Sequence, residues 1–141
     1  HDIGRMMLLE SRPEQYIEVF SMVKQEDCLV TEAEMAVFGF THAEVGKELM
    51  LSWHLPSSLA SAVGFHHTER RGRSSRLEDI VHVSDILAHT SELGSSGEQF
   101  IPLLNPYAWE RLSLQTSMLG PAMEKIYEQF ENIADFILAE S

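Results

Sequence analysis

The sequence predicts an all-α fold, and three observations carry that expectation. Apolar residues recur at three- and four-residue spacing along most of the 141 residues. No run alternates with the two-residue period of a half-buried strand. Pro, Gly and Ser/Thr-x-x-Glu signatures fall where helices would start and stop. With 44% apolar and 23% charged residues, the chain has material for one core and one globular domain, a bundle of roughly six to eight helices with short connections.

Residues 1 to about 10 form the first helix, with Met6, Met7, Leu8 and Leu9 as its apolar bulk. Pro13 suits a first helical position, where its missing N–H costs nothing, and Tyr16, Ile17, Phe20 and Val23 then recur at helical spacing to about Gln25. Cys28-Leu29-Val30 is a short link. Thr31-Glu32-Ala33-Glu34 has the form of a capping box, in which the threonine oxygen accepts a free N–H and the glutamate reaches back; it opens a short helix to Phe38, ended by Gly39. Thr41 to Glu44 repeats the box and starts a helix over 42–54 on which Val45, Gly46, Leu49 and Trp53 share the face of His42. That imidazole therefore belongs to a buried face. Gly46 leaves room for a neighbouring backbone or a bound group.

Pro56 stops this helix and starts the next, in which Leu59, Ala60, Val63 and Gly64 lead into His66-His67. Thr68 to Arg76 has the composition of a loop, and Arg70, Arg71, Arg73 and Arg76 make it a basic island, either solvated or a phosphate or partner contact. Leu77 to about Leu93 restores the helical period through Leu77, Val81, Ser84 and Ala88, with Asp85 set among apolar neighbours. Residues 94–97 are a flexible Gly/Ser joint. Asn105-Pro106 opens a short helix, Gly120-Pro121 separates it from the next, and Ile126, Tyr127, Phe130, Ile133, Phe136 and Ile137 make a closing amphipathic helix. Trp53 and the methionines are assigned to the core by residue type.

Chemistry concentrates in four places. His1-Asp2-Ile3-Gly4 offers a divalent cation a nitrogen and an oxygen donor from one point of the backbone. Two donors cannot hold an ion, so more are needed, and His42, the pair His66-His67 and the lone carboxylate Asp85 supply them. A buried carboxylate without a partner costs several kcal/mol, so Asp85 requires something positive beside it. His82 and His89, at i−3 and i+4 from Asp85, could build a rival site along one helix, or simply hydrogen-bond or remain solvated. His54, near a helix C-terminus, fits a dipole-favoured histidine.

The order HDIG, then HAEVGKELMLSWHLP (His42 to Pro56), then FHH (Phe65 to His67), then Asp85 resembles the C-terminal part of an HDOD domain. This is the HD-related output domain of bacterial signalling proteins, within the HD phosphohydrolase superfamily. The likeness is clear from His1 to about Asp85 and weak beyond. The resemblance implies an HD-domain-like helical bundle with the HDIG helix central, the 42–54 and 77–93 helices packed on it, and further helices preceding residue 1. That family segment also holds another His or Glu ligand in competent HD relatives. It implies a metal site in which one ion takes His1 and Asp85, a second takes His42, His66 and His67, and Asp2 bridges them and is the catalytic carboxylate. Imidazole with carboxylate favours Fe, Mn, Zn, Ni or Co over Ca or Mg. Arg5, one turn beyond His1, stands where HDIG enzymes usually carry Lys; it is either a phosphate-binding residue or half of a plain surface salt bridge.

On that resemblance the chain is a signal-transduction output domain acting on a signalling partner protein. The alternative is a metal-dependent phosphohydrolase acting on a phosphorylated small molecule. The Thr68-Glu69-Arg70 continuation lacks the Gly-Tyr-Pro signature of cyclic-di-GMP hydrolases, which disfavours that substrate. A helical interaction module with incidental His and Asp is a third reading. A net charge of −12 with 10 Lys plus Arg opposes general affinity for nucleic acid or anionic lipid. One cysteine, Cys28, excludes an internal disulfide and fits a reducing compartment, the bacterial cytoplasm if the resemblance holds. No apolar run approaches the roughly 20 residues that cross a bilayer. Nothing in the sequence sets the oligomeric state.

Overall fold

Helix punctuation converts directly into architecture in the computed structural model, which describes residues 1–68, 74–91, 93, 97 and 100–139, with side chains as far as 136. Its helices are α1 (Ile3–Ser11), α2 (Pro13–Glu26), α3 (Val30–Phe38), α4 (His42–Ser52), α5 (Ser57–Phe65), α6 (Arg76–Ser91), α7 (Pro106–Arg111) and α8 (Leu119–Ala139), with a 3-10 turn at Thr116–Met118. Among the described residues there is no strand. The residues Arg70, Arg71, Gly72 and Arg73 of the basic island, and Gly94 to Ser96 of the joint, lie outside the described residues.

Pro13 opens α2 as expected, and Gly39 ends α3 with φ 79°. The Thr41 box forms: the Glu44 carboxylate accepts the Thr41 N–H at 2.8 Å and the threonine oxygen faces the Glu44 N–H. The other expected box does not form. α3 starts one residue earlier than Thr31, Leu29 takes the N-cap position, and Glu32 rather than Glu34 reaches back to the cap N–H, at 2.9 Å. A leucine has no oxygen to accept the return bond, so half of the motif is present. The shift frees Glu34 for the interior. Gly120 and Pro121 fall inside the first turn of α8 instead of separating two helices.

The helices pack in a relay. α3 lies on α2, α2 on α1, α1 on α4, α4 on α5, α5 on α6 and α6 on α7. Val19 and Val23 of α2 and Val30 and Ala33 of α3 form one apolar cluster. The expectation that α6 packs along the HDIG helix is corrected: α6 runs along α5, and its Asp85 reaches His1 of the HDIG segment. Trp53 is also corrected, being 54% exposed because α4 ends at Ser52 and the ring lies beyond the last buried turn. Met6, expected in the core, is 68% exposed on the outer face of α1.

At the α1–α4 crossing the two backbones touch. A Cβ built on Gly4 would overlap the His42 carbonyl oxygen and lie 2.6 Å from the Gly46 nitrogen. Glycine is required there because any side chain would push α1 off α4. The far end of the relay is tied by charge: Arg111 donates to both Asp79 oxygens, from Nε at 2.8 Å and Nη2 at 2.7 Å, and holds that carboxyl below its ordinary range.

Gly4→Ala should lower stability by about 3 kcal/mol, since rigid backbone opposes the new methyl. Gly120→Ala, with open space around it, should be neutral or slightly stabilising; urea midpoints measure both. Arg111→Ala should cost about 2 kcal/mol at neutral pH by leaving the buried Asp79 carboxylate without its fork. A depressed folded pKa contributes stability above the ordinary carboxyl range and loses it in acid. The wild-type and Arg111→Ala urea midpoints should therefore converge as pH falls through and below about 4.

Candidate metal centre

Asp2 occupies the N-cap of α1, where a carboxylate would ordinarily accept a first-turn N–H, yet its side chain makes no cap bond. Its Oδ1 is turned inward, 3.3 Å from His42 Nε2, 3.4 Å from His66 Nε2 and 3.5 Å from His1 Nε2. The Gly4 contact makes this reach short, because it sets the start of α1 against the start of α4.

His42 is fully buried, and Glu34 fixes its direction. Glu34 Oε2 accepts the His42 backbone N–H at 2.8 Å and lies 2.7 Å from Nδ1. Glu34 Oε1 accepts the Tyr16 hydroxyl at 2.6 Å. An acceptor at Nδ1 assigns a proton to that nitrogen and turns Nε2 toward Asp2 and His67 Nε2, the latter at 3.1 Å. His66, at the C-terminus of α5, repeats the arrangement: Nδ1–H donates to the Val63 carbonyl at 2.6 Å, and Nε2 is buried without a hydrogen-bond partner. On α6, Asp85 sets Oδ1 3.1 Å from His1 Nε2, while Oδ2 is buried, 3.9 Å from His67 Nδ1, with no hydrogen-bond partner.

All six His and Asp residues singled out in the sequence thus converge. Asp2, His42, His66 and His67 each bring one ligand atom within 4.8 Å of the others, and His1, His66 and Asp85 do the same. His66 belongs to both sets, so they are two lobes of one cluster. Nitrogen lone pairs and carboxylate oxygens this close repel each other unless protons or a cation lie between them. The buried Asp2 Oδ1, His66 Nε2 and Asp85 Oδ2 without hydrogen-bond partners, in an imidazole and carboxylate set with no thiolate, fit a borderline divalent transition ion.

The electrostatics agree. Burial pushes the Asp2 carboxyl up, but the His42 and His66 imidazoles, with the charges of Arg5 and His1, outweigh it and hold the group far below the usual range. Asp85 is depressed by His1 against the same cost of burial, and Glu34 by His42 and Tyr16. Burial and the adjacent His66 and His42 push His67 down to about 3, so this imidazole is neutral at neutral pH and offers one ring-nitrogen lone pair.

Other sequence candidates fare differently. Arg5 is buried, not on the surface, with Nη1 3.8 Å from Asp2 Oδ2; the guanidinium stands behind that carboxylate and offsets its charge. His82 uses both nitrogens on backbone, Nδ1–H to the His66 carbonyl at 2.6 Å and Nε2 from the Asn105 N–H at 2.9 Å, which removes it from the rival site. His54 sits in the turn after α4, at φ 57°, apart from the cluster. Glu34 and Tyr16 were missed as site residues. The available signal was that Glu34 lies on the apolar stripe of Val30, Ala33 and Val37, where a carboxylate must be met by donors.

The HDOD domain family matches residues 1–69. Among solved structures the chain is similar to the crystal structure of an HDOD domain protein with unknown function from Geobacter sulfurreducens, with 21% identity and a TM-score of 0.77 over 96% of this chain and 50% of that one. The chain therefore spans half the length of that protein, and the shared helical fold continues past residue 69. No curated protein matches the sequence.

Glu34→Leu should cost about 3 kcal/mol or more in urea unfolding, because it leaves the Tyr16 hydroxyl and two His42 donors without an acceptor. Glu34→Gln keeps a carbonyl oxygen and should cost less.

Proposed function

We propose, from the match of residues 1–69 to the HDOD domain family, that the chain is a cytoplasmic bacterial signal-transduction output domain built around a divalent transition-metal centre. The observation that carries the metal centre is the cluster of six His and Asp donors, with three buried ligand atoms lacking hydrogen-bond partners. His42, His66 and His67 would hold one ion and His1 with Asp85 a second, Asp2 bridging; Fe, Mn, Zn, Ni or Co suits these donors. Their contribution is to lock helices together: His1 and Asp2 precede α1, His42 opens α4, His66 and His67 follow α5, and Asp85 lies on α6. An ion shared by these segments would couple three helix ends and the middle of α6, and a partner protein can read such a coupled state.

A second reading, a phosphohydrolase, is favoured by the gathering of six His and Asp donors and by His1 and Asp2 remaining about one-third exposed, so that the cluster opens to solvent. Bound ions would supply Lewis-acid polarisation of a phosphoryl group. Around them Asp2 would orient the reacting face, Glu34 would keep His42 in its ligating tautomer, and Arg5 would balance the charge of Asp2.

Protein purified without chelator should carry stoichiometric transition metal by elemental analysis, and Asp2→Ala should lose most of it. Metal-free wild type would sink both readings. Bis-p-nitrophenyl phosphate then separates them: hydrolysis by the loaded wild type that disappears in Asp2→Ala selects the enzyme, and metal without turnover selects the output domain.

A further inference from the structure

Donors in this cluster have groups behind them that set their direction: Glu34 behind His42 and the Val63 carbonyl behind His66. Asp85 presents Oδ1 to two imidazoles, His1 Nε2 at 3.1 Å and His89 Nε2 at 3.5 Å. Its Oδ2 faces His67. His89 stands one turn along α6 from Asp85 with its side chain 14% exposed, so the helix itself carries the ring to the carboxylate. One imidazole nitrogen carries either a proton or a lone pair. If His1 gives its Nε2 lone pair to an ion, it no longer donates to Asp85, and a buried carboxylate oxygen is left needing a donor.

We infer that His89 is a positioning residue for Asp85: its N–H takes Oδ1 when His1 serves as a ligand, and Oδ2 stays aimed into the cluster. The inference rests on the metal-centre reading. His82 offers no substitute, since both its nitrogens are engaged by backbone. His89 has the complementary property, a ring held against a proposed ligand by the same helix that carries it.

The test titrates Co²⁺ into the chelator-treated chain and follows its visible absorption, with far-UV circular dichroism establishing that each variant is folded. His89→Ala should weaken Co²⁺ binding about 10- to 100-fold and alter the absorption band, as loss of an outer partner does. His89→Gln, whose amide N–H can reach the same oxygen, should recover much of the affinity. Wild-type affinity and spectrum in His89→Ala would overturn the inference while leaving the metal centre standing. His89→Gln as weak as His89→Ala would overturn the donor role. No uptake of Co²⁺ by the wild type would remove the metal centre itself, and the inference with it.

Discussion

Two helices reach backbone contact only where neither carries a side chain, and Gly4 against Gly46 is where α1 and α4 do so. Everything at the cluster depends on that approach. α1 is set by Gly4, its second residue, against the carbonyl of His42, so His1 and Asp2 project over the start of α4 with no intervening layer of side chains. α5 packs on the other side of α4, and Val63 lies so near Gly46 that a Cβ there would sit 2.6 Å from its methyl. The same turn of α4 therefore fixes the spacing to α1 and to α5, which delivers His66 and His67.

A second constraint is electrical. Asp85 and Glu34 are buried and Asp2 Oδ1 is sealed from solvent. Their charge is met by Arg5, by imidazoles and by the Tyr16 hydroxyl, an assembly that costs less than isolated buried carboxylates only because its members satisfy one another. Glu34 is central because it accepts three donors from two other elements and decides which nitrogen of His42 is free. Removing it would disturb α2, α4 and the cluster together.

Several helix ends were legible: Pro13, Gly39, the Thr41–Glu44 pair and Asn105-Pro106 act through local backbone chemistry that a sequence displays, whereas Gly120-Pro121 fell inside α8. The converging donors were legible as a set through a resemblance, since their sequence separation is bridged only by tertiary packing. What stayed hidden has separate causes. Thr31 and Leu29 compete for one N-cap within two residues, and the outcome rotates Glu34 from a capping role to the interior. His82 and His89 are equivalent in spacing around Asp85, and only the direction of α6 against α5 and the Asn105 segment separates a backbone-bound histidine from one facing the carboxylate. Trp53 was misplaced because a large aromatic side chain is buried on average, whereas this one lies past the end of its helix.

Protons and a divalent ion compete for the same lone pairs here. Without an ion, the imidazoles of His1 and His42 are pushed toward their protonated forms, His1 by bonding to Asp85 and His42 by Asp2 and Glu34 against the cost of burial. His67, squeezed between two other imidazoles, is driven the opposite way. One small pocket thus holds rings with opposed preferences, which is how a cluster behaves when a single added charge would relieve all of them. An ion would replace the protons at the His1 and His42 Nε2 atoms, leave the Nδ1–H···Glu34 bond of His42 intact, and use the lone pairs that His66 and His67 already present. The framework therefore sets the direction of its ligating nitrogens before any ion arrives.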